Sequence, residues 1–252
     1  QQEESAQMVF GHQMRFPFSN GFPLITERDL VSTRTGGRSQ FDMAIGELAA
    51  FMNGARTVAD MKWYGCGWWK RWATPKKCAK RGLEPGDLGP GSYGPAFHDF
   101  PTADGGTFNQ IQHLVEQIRE MPHLRTHFIT PWIPQYIGRG AGKRQKVVVA
   151  PCHGWVHVLV FPETKELSVH HFQRSADAPV GLVFNFIQYA AFALMLGRVT
   201  GYRPKELVYT LSDVHIFEHQ ARDVDELLET APQRFPTVQI VEDENVKSIF
   251  DF

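Results

Sequence analysis

Residues 155–200 read WVHVLVFPETKELSVHHFQRSADAPVGLVFNFIQYAAFALMLGRVT. Trp155 to Phe161 and Glu166 to Phe172 are short runs rich in β-branched and aromatic residues, and the PETK between them supplies turn chemistry. The pattern predicts a β-hairpin. Val183 to Thr200 is apolar almost all the way round a helix. A helix without a polar face belongs at the centre of a fold, covered on every side. Its most apolar stretch, Tyr189 to Gly197, is much shorter than the roughly 20 residues that span a bilayer, so no membrane partner is expected.

Working outward, Phe108 to Glu120 reads as an amphipathic helix that Met121-Pro122 ends. Apolar residues at 41, 45, 48 and 52 predict a helix over Phe41 to Met52. Strands are expected at Thr126 to Thr130, Lys146 to Val149, Leu207 to Leu211 and Thr237 to Val241. A strand, turn and strand are expected over Met8 to Thr26, and a mixed helix over Val214 to Leu228. Trp63 to Phe100 reads as irregular loop, with KKCAKRGLEPGD (76–87) as an exposed excursion. Strands and helices mix without regular βαβ alternation, so the fold class is α+β, around one long buried helix. No internal repeat and no Gly/Ser/Pro-rich linker divides the chain. We read one domain over 1–252 with an inserted loop at about 73–86.

A formal net charge of -1 on 252 residues gives no reason to expect a long nucleic acid partner. A few local arginines still suffice for a compact anionic substrate. Three cysteines, Cys66, Cys78 and Cys152, make a poor disulfide framework and suit a reducing, cytoplasmic setting. None has a Cys/His neighbour at zinc spacing, so no metal site is expected. The opening QQEESAQMVF does not read as a signal peptide.

Chemistry-bearing residues stand in several places, each with a bland alternative. Cys152 lies in Pro151-Cys152-His153. A reactive thiolate needs a positive or hydrogen-bonding neighbourhood, and His153, adjacent on a strand, would point to the opposite face. Taken alone, a buried structural cysteine accounts for these residues better. Arg174-Ser175 offers guanidinium and hydroxyl donors suited to a phosphate monoester, or a salt bridge at a strand end. Glu47 sits in the apolar FDMAIGELAAFM, where a carboxylate is costly unless paired or used. Asn185 and Gln188 interrupt the long helix. A buried amide needs partners, and Asn185 could match the O4/N3–H edge of uracil or bond the core backbone. Asp213-Val214-His215 suggests a helix cap, with His215 on a sugar hydroxyl or a carbonyl. Trp63, Trp68, Trp69 and Trp72 could stack on a heterocycle or form satellite core.

In this order, FGHQMRF (10–16), GFPLIT (21–26), GELAAFMNG (46–54), WWKRW (68–72), GDLGPGSYG (86–94), APCHGW (150–155), FQRSADAPVGLVFNF (172–186), SDVHIFEH (212–219) and SIFDF (248–252) resemble the thymidylate synthase family, which includes the nucleotide hydroxymethyltransferases. The likeness runs through nearly the whole chain. It implies that Cys152 adds to C6 of a pyrimidine nucleoside monophosphate, so that C5 takes a one-carbon unit from 5,10-methylenetetrahydrofolate. Glu47 would organise proton transfers, with Tyr93 and His153 supporting its network. Arg174 and Ser175 would hold the 5′-phosphate, and Arg125 would reach the phosphate bound by a second subunit. Asn185, with Gln173, would read the base, and His215 the sugar. Asp177 would hold the pterin, with Trp69, Trp68, Phe184 and Gly181 around the folate. The family forms homodimers with shared sites, using a sheet face, and the setting implied is the cytoplasm of a bacterial or phage-infected cell.

The sequence departs from the synthase pattern at several positions. Arg125-Thr126 stands for two arginines, Phe217 for a tyrosine beside the sugar, Val183 for a proline, and Trp68 for a smaller apolar residue at the folate wall. The altered walls favour water over hydride as the partner of the one-carbon intermediate. The expected activity is therefore a deoxyuridylate 5-hydroxymethyltransferase, with thymidylate synthase as the alternative. A catalytically silent nucleotide- or RNA-binding relative is the third reading.

Overall fold

A computed structural model of the chain describes residues 5–33, 37–241 and 244–252. Its centre is the predicted apolar helix, α7 (Val183–Thr200), the seventh of eight α-helices among the described residues. The others are α1 (Gln40–Met52), α2 (Val58–Trp63), α3 (Pro75–Ala79), α4 (Tyr93–His98), α5 (Gln110–Glu120), α6 (Pro134–Ile137) and α8 (Ala221–Leu228). The strands are β1 (Ala6–Pro17), β2 (Phe100–Pro101), β3 (Thr107–Phe108), β4 (Phe128–Ile129), β5 (Trp155–Phe161), β6 (Glu166–Asp177) and β7 (Arg203–Phe217). The order β1-β7-β6-β5-β4 forms one five-stranded mixed sheet, and β2 and β3 form a separate ribbon. Only β6 and β7 run parallel, joined through α7 as a parallel pair requires. The α+β class and the central helix are as expected.

Alternation along β6 sends Leu167, Val169, His171 and Gln173 into the core, while His170 and Phe172 face outward. Residues 178–200 are long and apolar enough to cross a membrane by length and composition, but most of that helix is buried inside the fold. A five-residue π-helical turn, Ala178–Leu182, leads from β6 into α7. Gly201 ends α7 in the left-handed region, at φ 77°, with its N–H donating to Gly197 O at 2.9 Å. Ser39 and Asp42 close a capping box on α1. At Gly46 an added Cβ would stand 2.1 Å from the carbonyl oxygen of Tyr64. This missing side chain lets the 64–66 turn lie on α1.

Several local expectations are corrected. Val214–Phe217 is strand, not helix, because β1 pairs along one edge of β7 and β6 along the other. Long-range ladders there override a helix-like pattern. Residues 21–26 form no second strand after β1. Lys146–Val149 lies outside the sheet, with a bend at Val148 and Val149, and its backbone bonds Tyr136, Gly91 and Leu88 instead. Thr237–Val241 is not a strand, although Val238 and Ile240 pack on the core. The excursion at 76–87 lies at the surface as expected, but it is anchored there. Thr74 caps α3, Cys78 is fully buried, and Arg144 Nη2 donates to Ala79 O at 2.9 Å.

Candidate active site

Cys152 lies just before β5, pinned to β6 by its carbonyl oxygen, which accepts the backbone N–H groups of Arg174 (2.7 Å) and Ser175 (3.4 Å). Its own N–H donates to the Tyr93 hydroxyl at 2.7 Å. Arg174 Nη2 donates to Sγ at 3.4 Å, and the guanidinium also reaches Pro151 O and lies over Trp132. Burial pushes the Cys152 thiol up, Arg174 opposes that shift, and Asp213 adds to it. His153 is not the base of a dyad. Its Nδ1 lies 2.7 Å from the Tyr189 hydroxyl, its ring stacks on Tyr93, and burial lowers it to about 3, so it is neutral.

Glu47, on the buried face of α1, lies against α7. Its Oε1 accepts from Trp69 Nε1 at 2.5 Å and from the Cys66 thiol at 3.8 Å, and its Oε2 from Gln188 Nε2 at 2.6 Å. Burial raises the carboxyl from 4.5 to about 7 against these donors. A buried carboxyl poised near neutrality can take or give a proton at working pH. From Gln188 the bonds continue outward. Asn185 Nδ2 donates to Gln188 Oε1 (2.9 Å), Gln173 Nε2 to Asn185 Oδ1 (3.0 Å), and the Tyr209 hydroxyl to Gln173 Oε1.

The parallel pairing of β6 and β7 sets Ser175 opposite Asp213 and Asp177 opposite His215. Ser175 Oγ donates to Asp213 Oδ2 at 2.9 Å, and His215 Nδ1 lies 3.1 Å from Asp213 Oδ1. Phe217 packs edge-on against the His215 ring and is buried. Asp177 accepts from Gln220 Nε2 at 3.1 and 3.2 Å. Gly181 leaves open space beside it, the nearest atom to an added Cβ being Asp177 Cβ at 4.0 Å. Trp68 packs on Phe184 with ring centroids 4.6 Å apart. Trp69, by contrast, spends its indole N–H on Glu47 and is buried.

The structure therefore brings Cys152, Arg174 and Tyr93 together, and joins Glu47, Trp69, Asn185 and Gln173 in one network. Ser175 and His215 meet at Asp213, with Phe217 packed on His215. Arg125 stands apart, exposed just before β4, with only its carbonyl engaged, accepting from His157. Sequence reasoning passed over Tyr209 and Gln220, whose roles come from packing across elements that no local pattern shows. Gln188 was visible as a polar break in the apolar helix, but its bond to Glu47 joins positions 141 residues apart.

A thiol beside a guanidinium, with a buried carboxyl tied to an amide network, defines the class of site. A family model described as thymidylate synthase matches residues 1–252, and the chain belongs to the thymidylate synthase family. The chemistry of that family is folate-dependent one-carbon transfer to C5 of a pyrimidine nucleotide. Of the residues expected to hold a folate, Asp177 keeps a carboxylate able to accept N–H groups, and Gly181 leaves open space beside it.

Proposed function

We propose that this chain is a deoxyuridylate 5-hydroxymethyltransferase working through Cys152. Sγ forms a bond to C6 of uracil, and the electron pair that leaves the C5–C6 double bond makes C5 nucleophilic. Arg174 favours the thiolate needed for that attack. The folate, when bound, supplies a one-carbon unit at the oxidation level of formaldehyde. Glu47 handles the proton that must leave C5, and Asn185 reads O4 and N3–H. Ser175 and Arg174 hold the phosphate, and His215 the sugar. As the proton leaves C5 the folate nitrogen would depart from the one-carbon unit as tetrahydrofolate; water adds to that carbon, and Cys152 leaves as C6–Sγ breaks and C5–C6 becomes double again. The observation that supports water over hydride is the Trp68–Phe184 ring pair. A folate wall already filled by two rings leaves less room for the pterin to stay over C5.

The same reading has a second copy covering the open sheet face, where Leu159, Phe161 and Phe172 are exposed. Arg125 then serves the partner's phosphate. Incubation with dUMP and 5,10-methylenetetrahydrofolate should give 5-hydroxymethyl-dUMP, with oxygen from labelled water, and tetrahydrofolate. Cys152→Ser should lower turnover by several orders of magnitude while still binding nucleotide. Stoichiometric dTMP and dihydrofolate would make the enzyme a thymidylate synthase. Absence of a covalent adduct with 5-fluoro-dUMP would overturn both.

A further inference from the structure

We infer that Gln188 is the positioning residue that makes base choice and proton handling one device: it locks the Asn185 amide in the uracil-reading orientation and supplies the inner hydrogen bond to Glu47. The inference rests on the proposed roles of Asn185 as base reader and Glu47 as proton-handling group.

The direction of the network follows from its two ends. Gln173 Nε2 donates to the carbonyl oxygen of Ser175 at 3.0 Å, and Gln188 Nε2 to that of Ala44 at 3.4 Å. Carbonyls only accept, so both nitrogens are fixed. Gln173 must then face Asn185 with an N–H, and Gln188 must face it with an oxygen. This assigns Oδ1 of Asn185 to the Gln173 side and Nδ2 to the Gln188 side. Each has spent half its capacity, leaving one N–H and one lone pair for a ligand. Those suit an edge with an acceptor at C4 and a donor at N3.

Cytosine presents the reverse. To serve it, the Asn185 amide would have to turn over, setting N–H against N–H at Gln173 and oxygen against oxygen at Gln188. Gln188 is 1% exposed and Asn185 7%, so no solvent compensates for the lost bonds. Discrimination is therefore built behind the residue that touches the base.

The other end of Gln188 acts on Glu47. Its N–H favours the ionised carboxylate, as do the Trp69 indole and the Cys66 thiol. The titratable groups around Glu47 are Cys66, Tyr189 on α7 and, behind Tyr189, His153. Burial holds all three neutral around pH 7: the thiol and phenol are pushed up, the imidazole down. Glu47 is thus the member of this set that titrates near neutrality.

Gln188→Met keeps the length and removes both the donor and the acceptor. Two quantities test the role, neither of which a merely structural role would move together with the other. The first is the protonation midpoint of Glu47, read as the carboxyl stretch in infrared difference spectra against Glu47→Gln and as the matching limb of the pH–rate profile. It should rise by about one pH unit. The second is the ratio of dUMP to dCMP binding, which should fall about tenfold or more. If Gln188→Met does not fold, Gln188→Glu replaces it. Two carboxyls there share one proton, and the upper of the pair's two apparent midpoints should lie above the wild-type value of Glu47. Either quantity unchanged in folded Gln188→Met, or no midpoint above the wild-type one in folded Gln188→Glu, overturns the proposal. Failure of the wild type to form an adduct with 5-fluoro-dUMP would instead sink the functional reading beneath it.

Discussion

Arg174 Nη2 stands 3.4 Å from Cys152 Sγ while the same guanidinium bonds Pro151 O, so the cation is held at the sulfur by the backbone of the cysteine's own loop. Burial raises the thiol and Arg174 is the group that opposes it. Replacing Arg174 with Gln should therefore lower the thiolate fraction at pH 7. Alkylation of Cys152 by iodoacetamide should slow about tenfold, the effect of roughly one pKa unit. Cys66 and Cys78 are buried, and Cys152→Ser supplies the background. An unchanged rate would show that the guanidinium serves only the phosphate.

Glu47 makes stability depend on pH. Its folded value is raised from 4.5 to about 7, so the folded state binds the proton more tightly than the unfolded chain. The contribution is fully present below about pH 4.5 and is lost as pH rises towards 7. The shift corresponds to about 3 kcal/mol. Urea unfolding between pH 4.5 and 8 should show this decline in the wild type. In Glu47→Gln the decline should shrink by about that amount, whatever the absolute stability of the variant. Parallel profiles would mean the carboxyl is not poised near neutrality.

Gly46→Ala tests the seat of the Trp69 loop. The new methyl would meet Tyr64 O at 2.1 Å, a backbone atom that cannot rotate away. We expect a loss of about 3 kcal/mol or more, seen as a fall in Tm. The displaced turn should also withdraw Trp69 and Cys66 from Glu47, so activity should drop at temperatures where the variant is folded.

Phe217→Tyr adds a hydroxyl beside His215. Phe217 packs edge-on against that imidazole, with centroids 4.9 Å apart, beside the residue proposed to read the sugar. One net hydrogen bond is worth about 1 kcal/mol. KM for the preferred nucleotide should fall about fivefold, and selection among sugars should sharpen. No change in either would mean that position 217 does not line the sugar pocket.

The regular interior was legible because its pattern is local. The apolar spacing of residues 41–52 and the all-round apolarity of 183–200 gave α1 and α7 nearly to the residue, and the PETK turn gave the β5–β6 hairpin. What failed depended on distant partners. Val214 to Phe217 became strand because β1 and β6 flank it. Lys146–Val149 looked like a strand but found loop partners instead of a ladder. Cys78 could not be known as an anchor from the basic, Gly- and Pro-bearing sequence around it. At the site, motifs named Cys152, Glu47 and Asn185, while the bonding of Glu47 and Asn185 through Gln188, Gln173 and Tyr209 needed the helix–sheet seam in three dimensions.

The pairing of β1 with β7 also shapes how the chain is made. Gln13 and Thr210 bond across 197 residues, and Met14 and Phe16 pack on a core that is incomplete until β7 has been made. At the usual rate of synthesis, about 5–20 residues per second, β1 waits roughly 10–40 s outside the ribosome for its partner. During that interval a twelve-residue strand carrying Met8, Val9 and Phe10 has no ladder to join. Shielding of the nascent chain thus becomes a condition of good yield. Release of a chain that stops before residue 203 would leave β1 as an orphan edge, open to pairing with another such chain.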